Sequence, residues 1–324
     1  MLWNRGDFIL KIVYLFQKNK NYKGVVAFLQ ICSSPVILWK RKDLWKKIVK
    51  GIIQIIHGMS EHKERYLHFF NFFEKRGWKV IAENHIHHGE LKKIGIFEND
   101  FYKIIENQIN LTKNIKNKYP DIPIFIFGHS MGSFIAQEHM KKSSKIAEGY
   151  IFCGSCYEQK FLWEIGKYIS FILDKIYKNR RAELIKKMIF FNSNGKIKKD
   201  KDFNENSWLS RDVNEVKKYN EDRFCGFTYS SGFYRDFFIF LNNLYKKEYF
   251  KNVRKDIPVL IISGDMDFVG IYGKGVRQLE KFYKEINFKN IRCRLYKGAR
   301  HELHNEINRE EVFLDIEKWL EKNI

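Results

Sequence analysis

Residues 123–127 and 258–264, together with Gly51–Ile56 and Gly149–Cys153, are apolar at nearly every position. Short runs of this kind fit strands buried on both faces of a parallel sheet. Ile291–Tyr296 alternates instead, as a strand with one exposed face would. Helical spacing follows several of these runs. Strand and helix patterns alternate before about residue 153 and after about residue 258, which predicts a mostly parallel sheet flanked by helices. The middle does not alternate. Phe161, Ile165, Tyr168, Ile169, Ile172 and Ile176 recur at helix spacing, as do Phe233, Phe237, Phe238 and Leu241, with a charged, loop-like stretch over 192–206 between them. The pattern divides the chain into a first core part over 1–153, a mainly helical cap over 154–254, and a second core part over 255–324. Most of the cap aromatics are expected to form the cap's own core, and a minority to line a tunnel for an acyl chain.

Gly128-His129-Ser130-Met131-Gly132 fits G-x-S-x-G between a predicted strand and a predicted helix at 133–140. A serine on such a turn presents its hydroxyl beyond the sheet edge, and the helix N-terminus behind it offers free N–H groups. A hydroxyl is a poor nucleophile without a base and an acid to hold that base. The order Ser, acid, His is met downstream: Asp265-Met266-Asp267 follows one predicted strand and His301 follows the last. Either aspartate fits by position. His57-Gly58-Met59 follows the first strand, where the second oxyanion donor belongs, so the N–H groups of Met59 and Met131 are the candidate pair. Each candidate sits past the carboxyl end of a strand, where open α/β sheets place their chemistry.

HGMSEHKERY at 57–66, GHSMGS at 128–133, SGDMDFVG at 263–270 and ARHELHNE at 299–306 resemble the monoglyceride lipase and lysophospholipase group of α/β-hydrolases. NHIHHGE at 84–90 resembles that family's DHRGHG loop, and SWLSRD at 207–212 a segment of its cap. The resemblance runs from about residue 50 to the C-terminus and implies an α/β-hydrolase fold with an inserted helical cap. It implies Ser130 as nucleophile, His301 as general base and Asp267 as the acid, with Asp265 as competitor. It also implies polar-head contacts from Glu61, Arg65 and His304, the first two expected four apart on one helix face, where a plain ion pair is the alternative. Asn84, Ile86 and His87 depart from the family loop, and Phe268 stands where proline is common. The expected activity is hydrolysis of lysophospholipid or monoacylglycerol through an acyl-enzyme, without cofactor or metal. A short-chain esterase or an aminopeptidase on the same fold is the alternative, and a catalytically silent basic binding protein the non-enzymatic one.

Lys and Arg number 59 against 38 Asp and Glu, a formal net charge of +21. The excess is spread along the chain, and no nucleic-acid motif accompanies it, so nucleic acid is not an expected partner. It suits transient contact with an anionic membrane surface. The odd count of 5 cysteines argues against a disulfide framework and for a cytoplasmic setting. Cys153 and Cys156 form a CxxC expected to hold buried free thiols. His85, His87 and His88 lack partners at metal-ligand spacing. The apolar run at 8–16 is far below the ~20 residues a membrane span needs and shows no clear signal-peptide cleavage site.

Overall fold

The computed structural model describes residues 27–31, 34–38, 49–89, 94–97, 101–177, 180–199 and 201–324. The apolar run at 8–16 lies outside them. The chain falls into two compact units, Met1–Ile48 and Val49–Ile324, so the first 48 residues group apart from the sheet-bearing unit. In the smaller unit, β1 (Ala27–Ile31) pairs antiparallel with β2 (Ser34–Leu38).

The larger unit is built on six parallel strands: β3 (Gly51–Ile56), β4 (Trp78–Ala82), β5 (Ile124–His129), β6 (Gly149–Cys153), β7 (Val259–Gly264) and β8 (Ile291–Tyr296). Their spatial order is β4-β3-β5-β6-β7-β8. From β3 the chain moves outward to β4, then returns to the other side of β3 as β5. That reversal is the topological switch point, and the carboxyl ends of the two strands open the crevice where such sheets bind ligands.

Every residue of β3, β5, β6 and β7 is buried, which is why these strands read as continuous apolar runs. Successive side chains go to opposite faces. Ile52, Ile124, Ile126, Phe152 and Ile261 join one core; Ile53, Phe125, Phe127, Ile151 and Ile262 join the other. The first face is covered by α2 (Phe101–Lys118), α3 (Met131–Ser143) and α8 (Lys274–Glu285); the second by α1 (Leu67–Glu74) and α9 (Arg309–Lys322). The helices bury stripes at helical spacing, as in Val312, Phe313, Ile316, Trp319 and Leu320 of α9. β8 is one of the two edges: Arg292 and Arg294 are exposed, and such charges discourage further strand pairing.

Between β6 and β7 lie α4 (Lys160–Tyr177), α5 (Glu183–Ile189), α6 (Val213–Glu221) and α7 (Ser231–Leu244). Phe233, Phe237, Phe238 and Leu241 of α7 are buried as expected. The α4 stripe departs from expectation. Phe161, Ile165, Tyr168, Ile172 and Ile176 are exposed, and the face turned inward is Trp163, Gly166 and Ser170. The reason is a close helix–helix approach: a Cβ on Gly166 would lie 2.4 Å from the Phe238 ring. The small residues admit the neighbouring helix, and the apolar stripe is left outside.

Candidate active site

Ser130 sits between β5 and α3 with φ 52° and ψ −122°, a conformation L-residues rarely adopt. Tight contacts on both sides hold it there. A Cβ on Gly128 would lie 2.3 Å from the Gly132 carbonyl oxygen, and one on Gly132 only 2.0 Å from that of Ile56. Only glycine lets β5, the helix start and the end of β3 come this close. The Ser130 N–H donates to the Cys153 carbonyl at 2.9 Å, and Ser133 Oγ caps the Ser130 carbonyl at 2.6 Å. The first N–H groups of α3, Met131 among them, have no acceptor within the helix.

The turn after β3 lies against the nucleophile: a Cβ on Gly58 would be 3.2 Å from Ser130 Cβ. Met59 follows, half-buried. Glu61 braces this turn, accepting hydrogen bonds from the Gly58 N–H and from Tyr66 Oη at 2.8 Å. The histidine-rich loop supports it from behind. The His85 N–H donates to His57 Nε2 at 3.0 Å, and His85 Nε2 bonds the His57 carbonyl at 3.0 Å. His88 Nε2 bonds Tyr229 Oη at 2.6 Å. Burial pushes the His57 imidazole well down, that of His85 to about 4 and that of His88 to about 3, so these rings act as neutral struts.

His301, 2 % exposed, bonds Asp267 Oδ1 through Nδ1 at 2.9 Å. Asp267 is fully buried and also accepts from Ser263 Oγ at 2.7 Å and from the Val269 N–H at 2.9 Å. Burial resists its ionisation, but the His301 charge and these three donors outweigh burial and hold the carboxyl below its usual range. Asp265 is engaged elsewhere, accepting from the Gly298 N–H at 2.7 Å. The His301 ring lies 4.7 Å from that of His129, the residue before the serine. A Cβ on Gly154, next to the carbonyl that receives the Ser130 N–H, would be 2.9 Å from His301 Cε1. Ser130 and His301 therefore both bear on Cys153–Gly154. The thiols of Cys153 and Cys156 are free and buried, and burial pushes Cys156 up to about 12, outside the reactive range.

The residues expected at the polar head are all buried: Glu61 at 2 %, Arg65 at 8 % and His304 at 1 % exposure. The shared helix face is corrected by the structure. Only residues Lys63–Tyr66 form a helix, a single 3-10 turn, and Glu61 precedes it. Arg65 pairs with Glu302 across the fold and lies 5.1 Å from the Tyr219 ring centroid. Reading by spacing alone overlooked a carboxylate supplied from far along the chain.

Three further residues at the site had no signal of their own. His129 bonds Glu61 through Nδ1 at 3.1 Å. Trp208 lies over His301, ring centroids 5.0 Å apart. Ser263 is the third donor to Asp267. The SWLSRD segment explains Trp208's place: the carbonyls of Ser207 and Ser210 accept from Arg300 Nη1 at 2.6 and 2.8 Å, and that of Leu209 from the Glu302 N–H at 2.7 Å. The segment thus grips the loop that carries His301.

Known proteins resemble the chain in sequence and in fold. The chain is 24% identical over 280 residues to a monoglyceride lipase homolog of Monkeypox virus, covering 85% of this chain and 92% of that one. It is 24% identical over 279 residues to the Homo sapiens monoglyceride lipase, covering 84% and 82%. A thermostable carboxyl esterase from Bacillus coagulans, solved with glycerol, superposes with a TM-score of 0.77 at 26% identity, covering 92% of this chain and 98% of that chain. The family model of serine aminopeptidases, S33, matches residues 47–308. The parallel sheet, the serine turn at its switch point and this match across most of the chain lead to one conclusion: the chain belongs to the serine aminopeptidase S33 family and has the α/β-hydrolase fold.

Proposed function

We propose that the protein is a serine hydrolase that cleaves the carboxylic ester of monoacyl lipids, with Ser130, His301 and Asp267 as its catalytic triad. The observation that carries the reading is the 2.9 Å bond between His301 Nδ1 and Asp267 Oδ1 beside the strained serine turn. His301 takes the Ser130 proton as the hydroxyl oxygen attacks the ester carbonyl. Asp267 fixes the tautomer and stabilises the imidazolium. The Met59 and Met131 N–H groups hold the tetrahedral oxyanion. The alcohol leaves with the proton from His301, and water then frees the fatty acid from Ser130 with His301 again as base. Asp267 is preferred over Asp265 because Asp265 is committed to Gly298.

Relatives named monoglyceride lipases favour monoacylglycerol among the monoacyl lipids. Residues 154–254 serve as the cap. Glu61, Arg65 and His304 mark the head-group side of the site, in a space that opens to a ligand only when surrounding groups move. The α4 stripe, with Lys160, Lys167 and Lys175 on the same helix, gives the enzyme an apolar and basic surface for transient docking on anionic membranes. No helix among the described residues is long and apolar enough to cross a membrane.

A short-chain esterase is the second reading, favoured by the likeness to the Bacillus coagulans carboxyl esterase. A panel of monoacylglycerols, lysophospholipids, aminoacyl amides and p-nitrophenyl esters of rising chain length separates them. Preference for medium or long monoacyl chains supports the proposal; a peak at acetate or butyrate, or on the amides, contradicts it. Ser130→Ala should lower turnover by about 10⁶-fold, and an unchanged rate would end the assignment of Ser130 as the nucleophile.

A further inference from the structure

We infer that the cap segment 226–229 clamps the oxyanion turn, with Ser60 and Tyr229 as positioning residues for the Met59 N–H, an inference that rests on the reaction proposed above. Ser60 directly follows Met59 and is buried. Each of its polar groups is held by that one segment. Its N–H donates to Tyr229 Oη at 2.6 Å, its Oγ donates to the Phe227 carbonyl at 2.8 Å, and its carbonyl accepts from the Gly226 N–H at 2.9 Å. Ser60 and Tyr229 stand 169 residues apart, so no local spacing announced the clamp.

Ser60 needs such a grip. Its φ of 53° lies in the left-handed region that favours glycine. A side-chain-bearing residue stays there only where its surroundings over-determine it. Tyr229 is a firm anchor. It is fully buried, its ring stacks on Phe233 of α7 at 3.8 Å between centroids and 12°, and its carbonyl accepts from the Ala182 N–H at 2.9 Å. Proton accounting fixes its hydroxyl as well. The Ile86 carbonyl, 2.9 Å from His88 Nδ1, can only accept, so the proton of the neutral His88 ring sits on Nδ1. His88 Nε2 then accepts the Tyr229 proton at 2.6 Å, and Tyr229 Oη turns a lone pair to the Ser60 N–H. The other side of Met59 is held from the core. His57 Nε2 accepts from the His85 N–H, and His57 Nδ1 donates to the Gly58 carbonyl at 2.9 Å. That carbonyl and the Met59 N–H share one planar peptide. The core therefore sets the peptide before Met59, and the cap sets the peptide after it. With both planes fixed, the donor is preorganised for the oxyanion and need not reorient during the reaction.

The test pairs a soluble p-nitrophenyl ester with its thiono analogue, whose sulfur is a weak hydrogen-bond acceptor and draws little on the oxyanion donors. Losing one such donor outright costs about 10²–10³-fold, so loosening it should cost part of that. Tyr229→Phe should lower kcat on the oxygen ester by about 10- to 100-fold with KM nearly unchanged, and slow the thiono ester far less. Ser60→Ala breaks one link of the three and should show the same selective loss at smaller size. Urea unfolding checks that both variants fold; should Tyr229→Phe not fold, Ser60→Ala decides. Equal slowing of the two esters, or a loss confined to KM, would mean that the segment only supports the fold and would overturn the clamp. Unchanged rates in the folded variants would overturn it too. A wild type that cleaves neither ester would instead overturn the functional reading, and the clamp with it.

Discussion

Gly132 touches the end of the neighbouring strand so closely that a Cβ there would lie 2.0 Å from the carbonyl oxygen of Ile56. One residue after Ile56 begins the turn that carries Gly58 and Met59; two residues before Gly132 stands Ser130. The contact therefore fixes the proposed nucleophile against the proposed oxyanion turn. Gly132→Ala should destabilise the fold by about 1–3 kcal/mol or more through overpacking, and lower turnover further by separating the two segments. Urea unfolding together with kcat checks both; a variant with unchanged midpoint and rate would show that the contact is slack.

The two aspartates after β7 have different employment, and substitution should reveal it. Asp267→Asn should cut kcat by about 10⁴-fold, since the wrong imidazole tautomer is then favoured. Asp265→Asn should alter kcat little, because its carboxylate bonds the Gly298 N–H and not His301. Single-turnover rates on a soluble ester decide the matter, and equal losses would contradict the assignment.

The lowered Asp267 carboxyl carries a pH signature. Its folded value lies below the unfolded value of about 3.9. The carboxylate therefore contributes stability that is fully present above the unfolded value and lost as pH falls through the folded one. Asp267→Asn lacks this contribution. The stability gap between wild type and variant should be widest near neutrality and shrink below about pH 4. Urea midpoints from pH 3 to 7 measure it, and a constant gap would mean that the carboxylate is not stabilised in the fold.

The exposed stripe on α4 predicts a division between binding and chemistry. Phe161→Ser combined with Ile172→Ser removes two residues that are 76% and 55% exposed, so the fold should tolerate the change. Co-sedimentation with anionic vesicles should fall several-fold while hydrolysis of a water-soluble ester stays near wild type. Undiminished vesicle binding would place the membrane contact elsewhere.

Local grammar made much of the site legible. Strands buried on both faces announce themselves as unbroken apolar runs, and G-x-S-x-G between strand and helix marks a turn that few other residues can make. The last strand was legible for the opposite reason: as a sheet edge it keeps Arg292 and Arg294 outside. What could not be read is what depends on distant partners. Arg65 is expected at the polar head, with an ion pair to Glu61 as the alternative, and pairs with Glu302, a partner that no local spacing signals. The α4 aromatics looked like a core because periodicity shows that a helix has two faces, not which one meets a neighbour; Gly166 against Phe238 decided that. His129 was hidden inside the motif, where the variable position carries no expectation, although its ring joins Glu61 to the His301 segment.

The central claim, that Ser130 is a nucleophile activated by His301, is tested most directly by the rate of covalent labelling with a fluorophosphonate, read by intact mass. The account predicts one adduct on the wild-type chain, mapped to Ser130, none on Ser130→Ala, and labelling slowed by orders of magnitude in His301→Ala. An adduct that persists in Ser130→Ala, or forms as fast without the imidazole, would contradict it.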